Sequence, residues 1–222
     1  MSSPISVVIP ARNEAPTIGA VIDRTTRASG VGEVIVVDNA SDDATATAAH
    51  VAGARVVFEP TPGFGNALRA GFRAAQNNWV AKVDADLEDM AEDMIARLAA
   101  ARAPGVGLVK GRWNDPDDDM PMTRLLIKPA IRQIFPDLSH LDAPNSGLYL
   151  FDRSRISLEG LATTYAADID VMVRMHLAGA VIAETWIGEI RNNPRDTGHY
   201  NAIADVILAF FLDHHARQQS GG

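Results

Sequence analysis

Trp79-Val-Ala-Lys-Val-Asp-Ala-Asp-Leu-Glu-Asp89 is the stretch around which the rest of the chain is organised. Residues 79–83 form a mostly apolar run, typical of a strand buried in a sheet. Four carboxylates follow within six residues: Asp84, Asp86, Glu88 and Asp89. Carboxylates this close repel one another and resist burial unless a cation neutralises them. Because side chains alternate along an extended chain, Asp84 and Asp86 lie on one side, where both can face one hard divalent ion.

The same stretch has a second interpretation, a solvated acidic loop that caps the following helix. Asp89 would be the N-cap residue, and Glu92 follows three positions later, as in a capping box. The two interpretations are compatible, since Asp89 can cap the helix while Asp84 and Asp86 bind an ion.

Composition narrows the class of protein. The 222 residues include 20 basic and 28 acidic ones, a net charge of -8, which argues against a nucleic-acid-binding surface. The chain has no cysteine, so disulfides, thiolate zinc sites and thiol nucleophiles are excluded. Neither a signal peptide nor a membrane span is expected, because no apolar run is long enough. We therefore expect one soluble, cytoplasmic domain with a sizeable core.

Strands and helices alternate through the first half of the chain. Predicted strands cover residues 5–10, 33–38, 54–58 and 79–83, and predicted helices cover 16–28, 43–51 and 66–76. Such alternation predicts a parallel sheet with right-handed crossovers, with ligands bound at the carboxyl ends of the strands. Polar clusters fall at those ends, in residues 11–14, 38–42, 63–66 and 84–89.

The second half contains further predicted helices at 89–102, 122–135, 153–160, 168–178 and 201–217. The helix at 122–135 carries a basic stripe, Arg124, Lys128 and Arg132, which is either a solvated face or an anion site. The last helix has an apolar stripe that needs a partner surface. This surface is either the domain itself or a second copy of the chain, and the second case predicts a homodimer.

Four motifs in the first half resemble the nucleotide-sugar-binding half of GT-A glycosyltransferases. They are Val8-Ile-Pro-Ala-Arg-Asn-Glu14, Val36-Val-Asp-Asn-Ala-Ser-Asp-Asp43, Gly63-Phe-Gly-Asn-Ala-Leu-Arg-Ala-Gly71 and Asp84-Ala-Asp86. The resemblance implies an α/β, Rossmann-like GT-A fold: a mostly parallel sheet with helices on both faces, plus a C-terminal amphipathic helix. It also implies one domain over 1–222, with a nucleotide-sugar-binding half (1–111), an acceptor half (112–200) and a C-terminal helix and tail (201–222).

The GT-A resemblance also implies a set of donor-site residues. The implied nucleotide-sugar-binding residues are Pro10, Ala11, Asn13, Glu14, Asp38, Ser41, Gly63, Gly65, Lys82, Asp84 and Ala85. The implied metal ligands are Asp84 and Asp86, and the implied cofactor is Mg²⁺ or Mn²⁺. Glu189 and His199 are candidates to complete the metal shell.

The second half is similar to glucosyl-3-phosphoglycerate synthase and its mannosyl relatives, which are retaining enzymes. The motifs are Phe135-Pro-Asp-Leu138, Ala143-Pro-Asn-Ser-Gly147, Thr164-Tyr-Ala-Ala-Asp-Ile-Asp170 and Ile190-Arg-Asn-Asn-Pro194. The implied acceptor-binding residues are Asn145, Ser146, Gly147, Tyr165, Arg124 and Arg191. Asp168 is the candidate catalytic residue: a base if the reaction inverts, an orienting group if it retains, or simply a helix N-cap.

The chain departs from that group at three positions. Phe64 stands where the family commonly has lysine, Ile190 stands where it has a metal-ligating histidine, and Asp168 stands where it has glutamate. Lys82, Lys110 or Arg69 are candidates to replace the missing lysine. These departures bear on the phosphoglycerate acceptor more than on the donor site.

We therefore expect a metal-dependent, retaining glycosyltransferase that transfers a hexose from a UDP-glucose or GDP-mannose type of donor to a small, anionic acceptor. Three alternatives stay open: an inverting polyprenyl-phosphate glycosyltransferase, a nucleotidyltransferase, and a nucleotide-binding homologue without transferase activity.

Overall fold

The computed structural model describes residues 3–87, 90–114, 120–190 and 197–220. The strands in these ranges are β1 (Ile5–Ala11), β2 (Val31–Asp38), β3 (Arg55–Phe58), β4 (Trp79–Lys82), β5 (Val106–Asn114), β6 (Tyr149–Asp152) and β7 (Val181–Glu189). The α-helices are α1 (Ile18–Arg27), α2 (Thr45–Val51), α3 (Phe64–Ala74), α4 (Met94–Ala100), α5 (Lys128–Ile134), α6 (Ala167–Leu177) and α7 (Thr197–Ser220). A π-helical segment, Met122–Ile127, runs directly into α5.

The strands form one seven-stranded sheet in the order β3-β2-β1-β4-β6-β5-β7. Strands β1 to β4 pair in parallel, as the alternation of strands and helices predicts, and β5 pairs in parallel with β7. Strand β6 is antiparallel to both β4 and β5. The expected mostly parallel α/β sheet is confirmed, and it runs through both predicted halves of the chain.

Alternate side chains of the central strands supply two cores, one on each face of the sheet. Val8 of β1 packs on one face with Leu68 and Phe72 of α3, in a core that α5, α6 and α7 also cover. Its neighbours Val7 and Ile9 point to the other face, where α1, α2 and α4 pack. Strands covered on both faces read as continuous apolar runs, which explains the composition of β1 and β2.

The apolar stripe of the last helix lies against the domain. Ile207 and Phe211 are buried and join the core that α5 and α6 share. Leu208 and Leu212 stay exposed on the outer side of α7. The stripe therefore has its partner surface within the chain, and the homodimer remains a prediction. No described helix is long and apolar enough to cross a membrane.

The prediction of a helix at 153–160 was wrong. The structure has a single 3₁₀ turn there, Arg153–Arg155, in which the Asp152 carboxylate accepts hydrogen bonds from the Ser154 N–H and hydroxyl. Ile156 then continues in an extended conformation. Ile156 and Leu158, in the segment that follows, pack against the core, and this tertiary contact overrides the local helical pattern. The helix expected at 89–102 is shorter, since α4 begins at Met94.

The contact of α3 with the sheet depends on a glycine. A Cβ added at Gly71 would lie 2.9 Å from Val37 Cγ2 and closer still to Val8 Cγ1. We expect Gly71→Ala to lower the free energy of unfolding by about 1–3 kcal/mol, the usual effect of overpacking a core. Gly19→Ala in α1 is the control, because a Cβ there meets nothing within 4 Å. It should stabilise by about 0.4–1 kcal/mol. Urea unfolding of both variants tests this; equal effects would contradict it.

Candidate active site

The predicted polar clusters meet at the carboxyl edge of β1, β2 and β4, where they surround a groove of about 650 Å³. We call it the strand-end groove. Its lining includes these residues of the sequence prediction: Pro10, Ala11, Glu14, Gly63, Asp84, Ala85 and Asp86. This lining does not include the other predicted donor residues, Asn13, Asp38, Ser41, Gly65 and Lys82.

Three of these residues, Asn13, Asp38 and Ser41, hold the loops that form the groove in place. The Ser41 hydroxyl accepts a hydrogen bond from the Asn13 N–H (3.0 Å), and the Asn13 Oδ1 accepts one from the Asp42 N–H (2.8 Å). Asn13 has a φ of 59°, a conformation that asparagine tolerates better than most residues. The buried Asp38 accepts from the Ser41 N–H at 3.3 Å. These contacts join the loops after β1 and β2.

Asn39 is a site residue that the sequence prediction missed. Its Nδ2 donates to the carbonyls of Glu59 (3.1 Å) and Thr61 (2.8 Å), and its Oδ1 accepts from the Gly63 N–H (2.8 Å). One side chain therefore ties the loop after β2 to the loop before α3. The only sequence signal is its place beside Asp38 at a strand end.

The glycines before and in α3 allow a close contact with the segment before α6. Gly63 has a φ of 141°, and a Cβ at Gly65 would lie 2.6 Å from Thr163 Cα. The Gly65 N–H donates to the Thr163 carbonyl at 3.1 Å. This contact brings Phe64 against Tyr165, with stacked rings whose centroids are 5.3 Å apart.

A buried ion cluster lies between the end of β4, the start of α3 and the start of α6. The Lys82 ammonium, 1% exposed, pairs with the Asp84 Oδ1 and lies 3.6 Å from the Asp168 Oδ2. It also lies 4.9 Å from the centre of the Phe64 ring. The Asp168 Oδ1 accepts a hydrogen bond from the Tyr149 hydroxyl at 2.8 Å. We call Lys82, Asp84 and Asp168 the buried ion cluster.

The electrostatics of the cluster follow from burial and from its opposite charges. Burial by itself would lower the pKa of Lys82, but the carboxylates of Asp168 and Asp84 raise it above its ordinary value. Loss of hydration raises the pKa of Asp84, against the opposing effect of the Lys82 ammonium. Burial and the negative charge of Asp168 raise the pKa of Tyr149, so this phenol is a donor to Asp168.

Lys110 positions the turn that carries Gly147. Its buried ammonium donates to the carbonyls of Ser146 (3.0 Å) and Asp168 (3.2 Å) and lies 4.4 Å from the centre of the Tyr149 ring. A Cβ at Gly147 would lie 2.7 Å from both the Asp84 Oδ2 and the Lys82 Nζ. Lys110 therefore holds a glycine directly against the buried ion cluster, a role that the sequence prediction did not assign to it.

A second cavity, of about 380 Å³, opens on the other side of the cluster. We call it the helix-side cavity, because the π-helical segment, α6 and α7 form its walls. Phe64, Asp84 and Tyr165 line both this cavity and the strand-end groove. The two spaces therefore lie next to each other and share these three side chains as a common wall.

The predicted acceptor residues divide between lining and supporting positions. Asn145, Gly147, Tyr165 and Asp168 line the helix-side cavity. Ser146 is buried and bonds Leu148 through its hydroxyl. Arg124 is exposed on the π-helical segment and does not line either space.

Two predicted site residues fall outside the description. Arg191 lies outside the described residues. His199 belongs to α7, but its side chain is outside the described part of the structure.

The carboxylates of Asp84 and Asp86 fit a hard divalent cation. Both line the strand-end groove, and their oxygens are the ligand type that Mg²⁺ and Mn²⁺ prefer. Among the described residues, no group of three or more histidine, aspartate or glutamate side chains is placed to hold a metal. Mg²⁺ is usually bound by one or two carboxylates of the protein, and phosphate oxygens of a substrate complete its coordination shell.

The fold and this site define a nucleotide-sugar-dependent glycosyltransferase. Residues 6–151 match the family described as Glycosyl transferase family 2, and the chain belongs to this family. It is 30% identical over 242 aligned residues to glucosyl-3-phosphoglycerate synthase of Mycolicibacterium smegmatis, an alignment that covers 98% of this chain and 79% of the relative. It is 43% identical over 109 residues to an uncharacterized glycosyltransferase of Mycobacterium bovis, covering 49% of this chain and 48% of that one.

Solved structures give the same family. The structure of glucosyl-3-phosphoglycerate synthase from Mycobacterium tuberculosis with Mg²⁺ and UDP superposes with a TM-score of 0.86 at 28% identity, covering 96% of this chain and 80% of that one. The same enzyme with Mn²⁺, UDP-glucose and phosphoglyceric acid also gives 0.86, with the same identity and coverage. The predicted GT-A fold and enzyme class are confirmed.

Burial lowers the pKa of Lys110 to about 8, which generates a pH prediction. An unfolded lysine titrates near 10.5, so between these values the unfolded chain binds more protons and stability rises with pH. Relative to Lys110→Met, the wild type should gain up to about 1.4 kcal/mol of unfolding free energy per pH unit between roughly pH 8.5 and 10.

Urea unfolding of both proteins at pH 7.5, 8.5 and 9.5 measures this difference. Lys128→Met, near the surface, controls for effects shared by any lysine-to-methionine replacement. A stability difference that stays constant over this range would show that the buried ammonium does not lose its proton there.

Proposed function

We propose that the chain transfers a hexose from a nucleoside-diphosphate sugar, of the UDP-glucose or GDP-mannose type, to an acceptor hydroxyl with retention of configuration. The observation that carries the proposal is that the strand-end groove and the helix-side cavity adjoin, with Asp84 in the lining of both. Donor in the groove and acceptor in the cavity would meet beside Asp84 and Asp168.

In this proposal the nucleoside occupies the strand-end groove. Pro10, Ala11 and Glu14 line the groove. Hydrogen bonds of Asn13, Asp38 and Ser41 hold its loops in place. Loops fixed before the ligand arrives lose little conformational entropy on binding, which favours affinity. The UDP complex of the similar Mycobacterium tuberculosis enzyme supports this assignment.

Asp84 and Asp86 would hold Mg²⁺ or Mn²⁺ at the groove. When bound, the cation would neutralise the charge that develops on the departing nucleoside diphosphate. The Lys82 ammonium pairs with Asp84 and so holds that carboxylate in place. It also limits the repulsion between Asp84 and Asp168. The position of His199 in a metal shell stays a prediction.

The environment of Asp168 supports retention. One of its carboxylate oxygens accepts the Tyr149 hydroxyl and the other faces the Lys82 ammonium. A carboxylate engaged on both oxygens is a poor general base, so inversion gains no support here. In the retaining reaction the anomeric C–O bond to diphosphate breaks, the acceptor oxygen bonds the same face of that carbon, and its proton passes to the leaving diphosphate.

The basic stripe gives no support to an anionic acceptor. Lys128 pairs with Asp142 at 3.5 Å. None of Arg124, Lys128 and Arg132 lines the helix-side cavity.

Thermal unfolding with UDP-glucose, GDP-mannose or ADP-glucose, each with and without Mn²⁺, tests the donor site. We expect one donor to stabilise the protein only with Mn²⁺, by about 2.7 kcal/mol at a hundredfold excess over its dissociation constant. The shift should disappear in Asp86→Asn, which removes a ligand charge.

Asp23→Asn is the matched control, because Asp23 forms only an exposed pair with Arg27 in α1. It should keep the full donor shift. If no nucleotide sugar stabilises the wild type at millimolar concentration, the proposed function is wrong.

A further inference from the structure

Arg12 lies in the strand-end groove, although the sequence prediction gave it no role. It directly follows the last residue of β1, its side chain is exposed, and it lines the groove. We propose that the Arg12 guanidinium binds the diphosphate of the nucleotide-sugar donor; this inference rests on the proposed function. In this chain, a cation that contacts those phosphates then comes from the loop after β1.

The order of the strands places Arg12 on the path of the diphosphate. Strand β1 lies between β2 and β4 in the sheet. Asn39, from the loop after β2, and Asp84 and Asp86, after β4, line the groove on either side of the end of β1. Under the proposed function the nucleoside lies by the loops after β1 and β2, and the divalent cation lies at the two aspartates. The diphosphate joins these two parts of the donor, so it passes the end of β1.

Hydrogen bonds hold the backbone in place on both sides of Arg12. The Ala11 carbonyl accepts from the Asn39 N–H at 2.9 Å, and the Asn13 N–H donates to the Ser41 hydroxyl at 3.0 Å. When the guanidinium binds a phosphate, the side chain alone has to become ordered. Binding to a site whose backbone is fixed in advance costs less conformational entropy.

The charges that line the groove favour a further cation beside the donor. Glu14, Asp84 and Asp86 contribute carboxylates to the lining, and a nucleoside-diphosphate sugar is itself a dianion. The other two members of the buried ion cluster carry opposite charges, which cancel. A divalent cation therefore leaves one negative charge of the lining uncompensated, and the Arg12 guanidinium neutralises it. A guanidinium also fits this role because its parallel N–H groups can donate to two oxygens of one phosphate.

The other basic residues considered for this role are engaged elsewhere. The Lys110 ammonium donates to two backbone carbonyls, and the Arg69 guanidinium hydrogen-bonds a neighbouring asparagine of α3. Lys82 pairs within the buried ion cluster and lines the helix-side cavity. These three side chains do not line the strand-end groove, whereas Arg12 does. The geometry therefore favours Arg12 as the replacement for the lysine that is absent at Phe64.

Binding measurements on ligands with and without the phosphates test the proposal. Uridine, guanosine and adenosine are compared with their diphosphates, at one Mn²⁺ concentration, on the wild type and Arg12→Met. Calorimetry gives the Kd of each diphosphate, and ligand-observed NMR gives that of each nucleoside. For the diphosphate that the wild type binds, we expect Arg12→Met to raise Kd about tenfold to a hundredfold, the usual effect of losing a hydrogen bond between charged groups. The Kd of the matching nucleoside should change by less than about twofold, because it has no phosphate.

Arg27→Met is the matched control, an exposed arginine replaced in the same way outside the groove. Arg27 lies in the last turn of α1 and pairs with Asp23 at 2.7 Å. Because it does not line the groove, its replacement should leave the Kd of both the nucleoside and the diphosphate unchanged. Urea unfolding of both variants shows that they are folded under the conditions of the titrations.

The outcomes separate the role of Arg12 from the proposed function. If the wild type binds no nucleoside diphosphate and no nucleotide sugar, the proposed function fails and the role of Arg12 falls with it. If a diphosphate binds the wild type and Arg12→Met equally well, the donor site stands and Arg12 is not its phosphate contact. An equal loss of affinity for nucleoside and diphosphate would also overturn the proposal, because Arg12 would then act on the nucleoside.

Discussion

The site depends on one buried positive charge, the ammonium of Lys82 at the end of β4. A lone ammonium this deep would be strongly destabilising, and so would the carboxylate of the buried Asp168 without a partner. Paired with Asp84 and Asp168, and packed under the Phe64 ring, all three charges are accommodated. Two neighbours lie directly against this cluster: the Tyr149 hydroxyl donates to Asp168, and a Cβ at position 147 would lie 2.7 Å from the Lys82 Nζ and the Asp84 Oδ2.

The cluster also links the two halves of the site. Asp84 lines both spaces, Asp168 lines the helix-side cavity, and the Lys82 ammonium faces both carboxylates. Hydrogen bonds from side chains at the groove, those of Asn39 above all, fix the loops before a ligand binds, so the chain presents a preorganised surface to its donor. Family membership accounts for the donor side. The acceptor side has a mixed lining of polar and apolar side chains, in which Asn145, Tyr165 and Asp168 are polar.

The first half of the fold was predictable because local patterns decide it. Apolar runs of β1, β2 and β4 alternate with helices, and the paired aspartates follow the third of these strands directly. What escaped prediction depends on residues far apart in sequence. Asn39 acts through backbone groups about twenty positions away, and the helix-side cavity joins Met122 to Ile203 and Ile207 of α7. The helix expected at 153–160 is a single turn instead, because Ile156 is extended and packs with Leu158 against the core.

A double-mutant cycle of Lys82→Met and Asp168→Asn, followed by urea unfolding at constant pH, tests the buried ion cluster most directly. Removing one partner of a buried ion pair costs about 3–5 kcal/mol, so Lys82→Met should destabilise the wild type by an amount in that range. In the Asp168→Asn background one carboxylate fewer is left uncompensated, and the same substitution should cost at least about 1 kcal/mol less. If Lys82→Met destabilises both backgrounds equally, Lys82 and Asp168 are not coupled and the cluster does not organise the site.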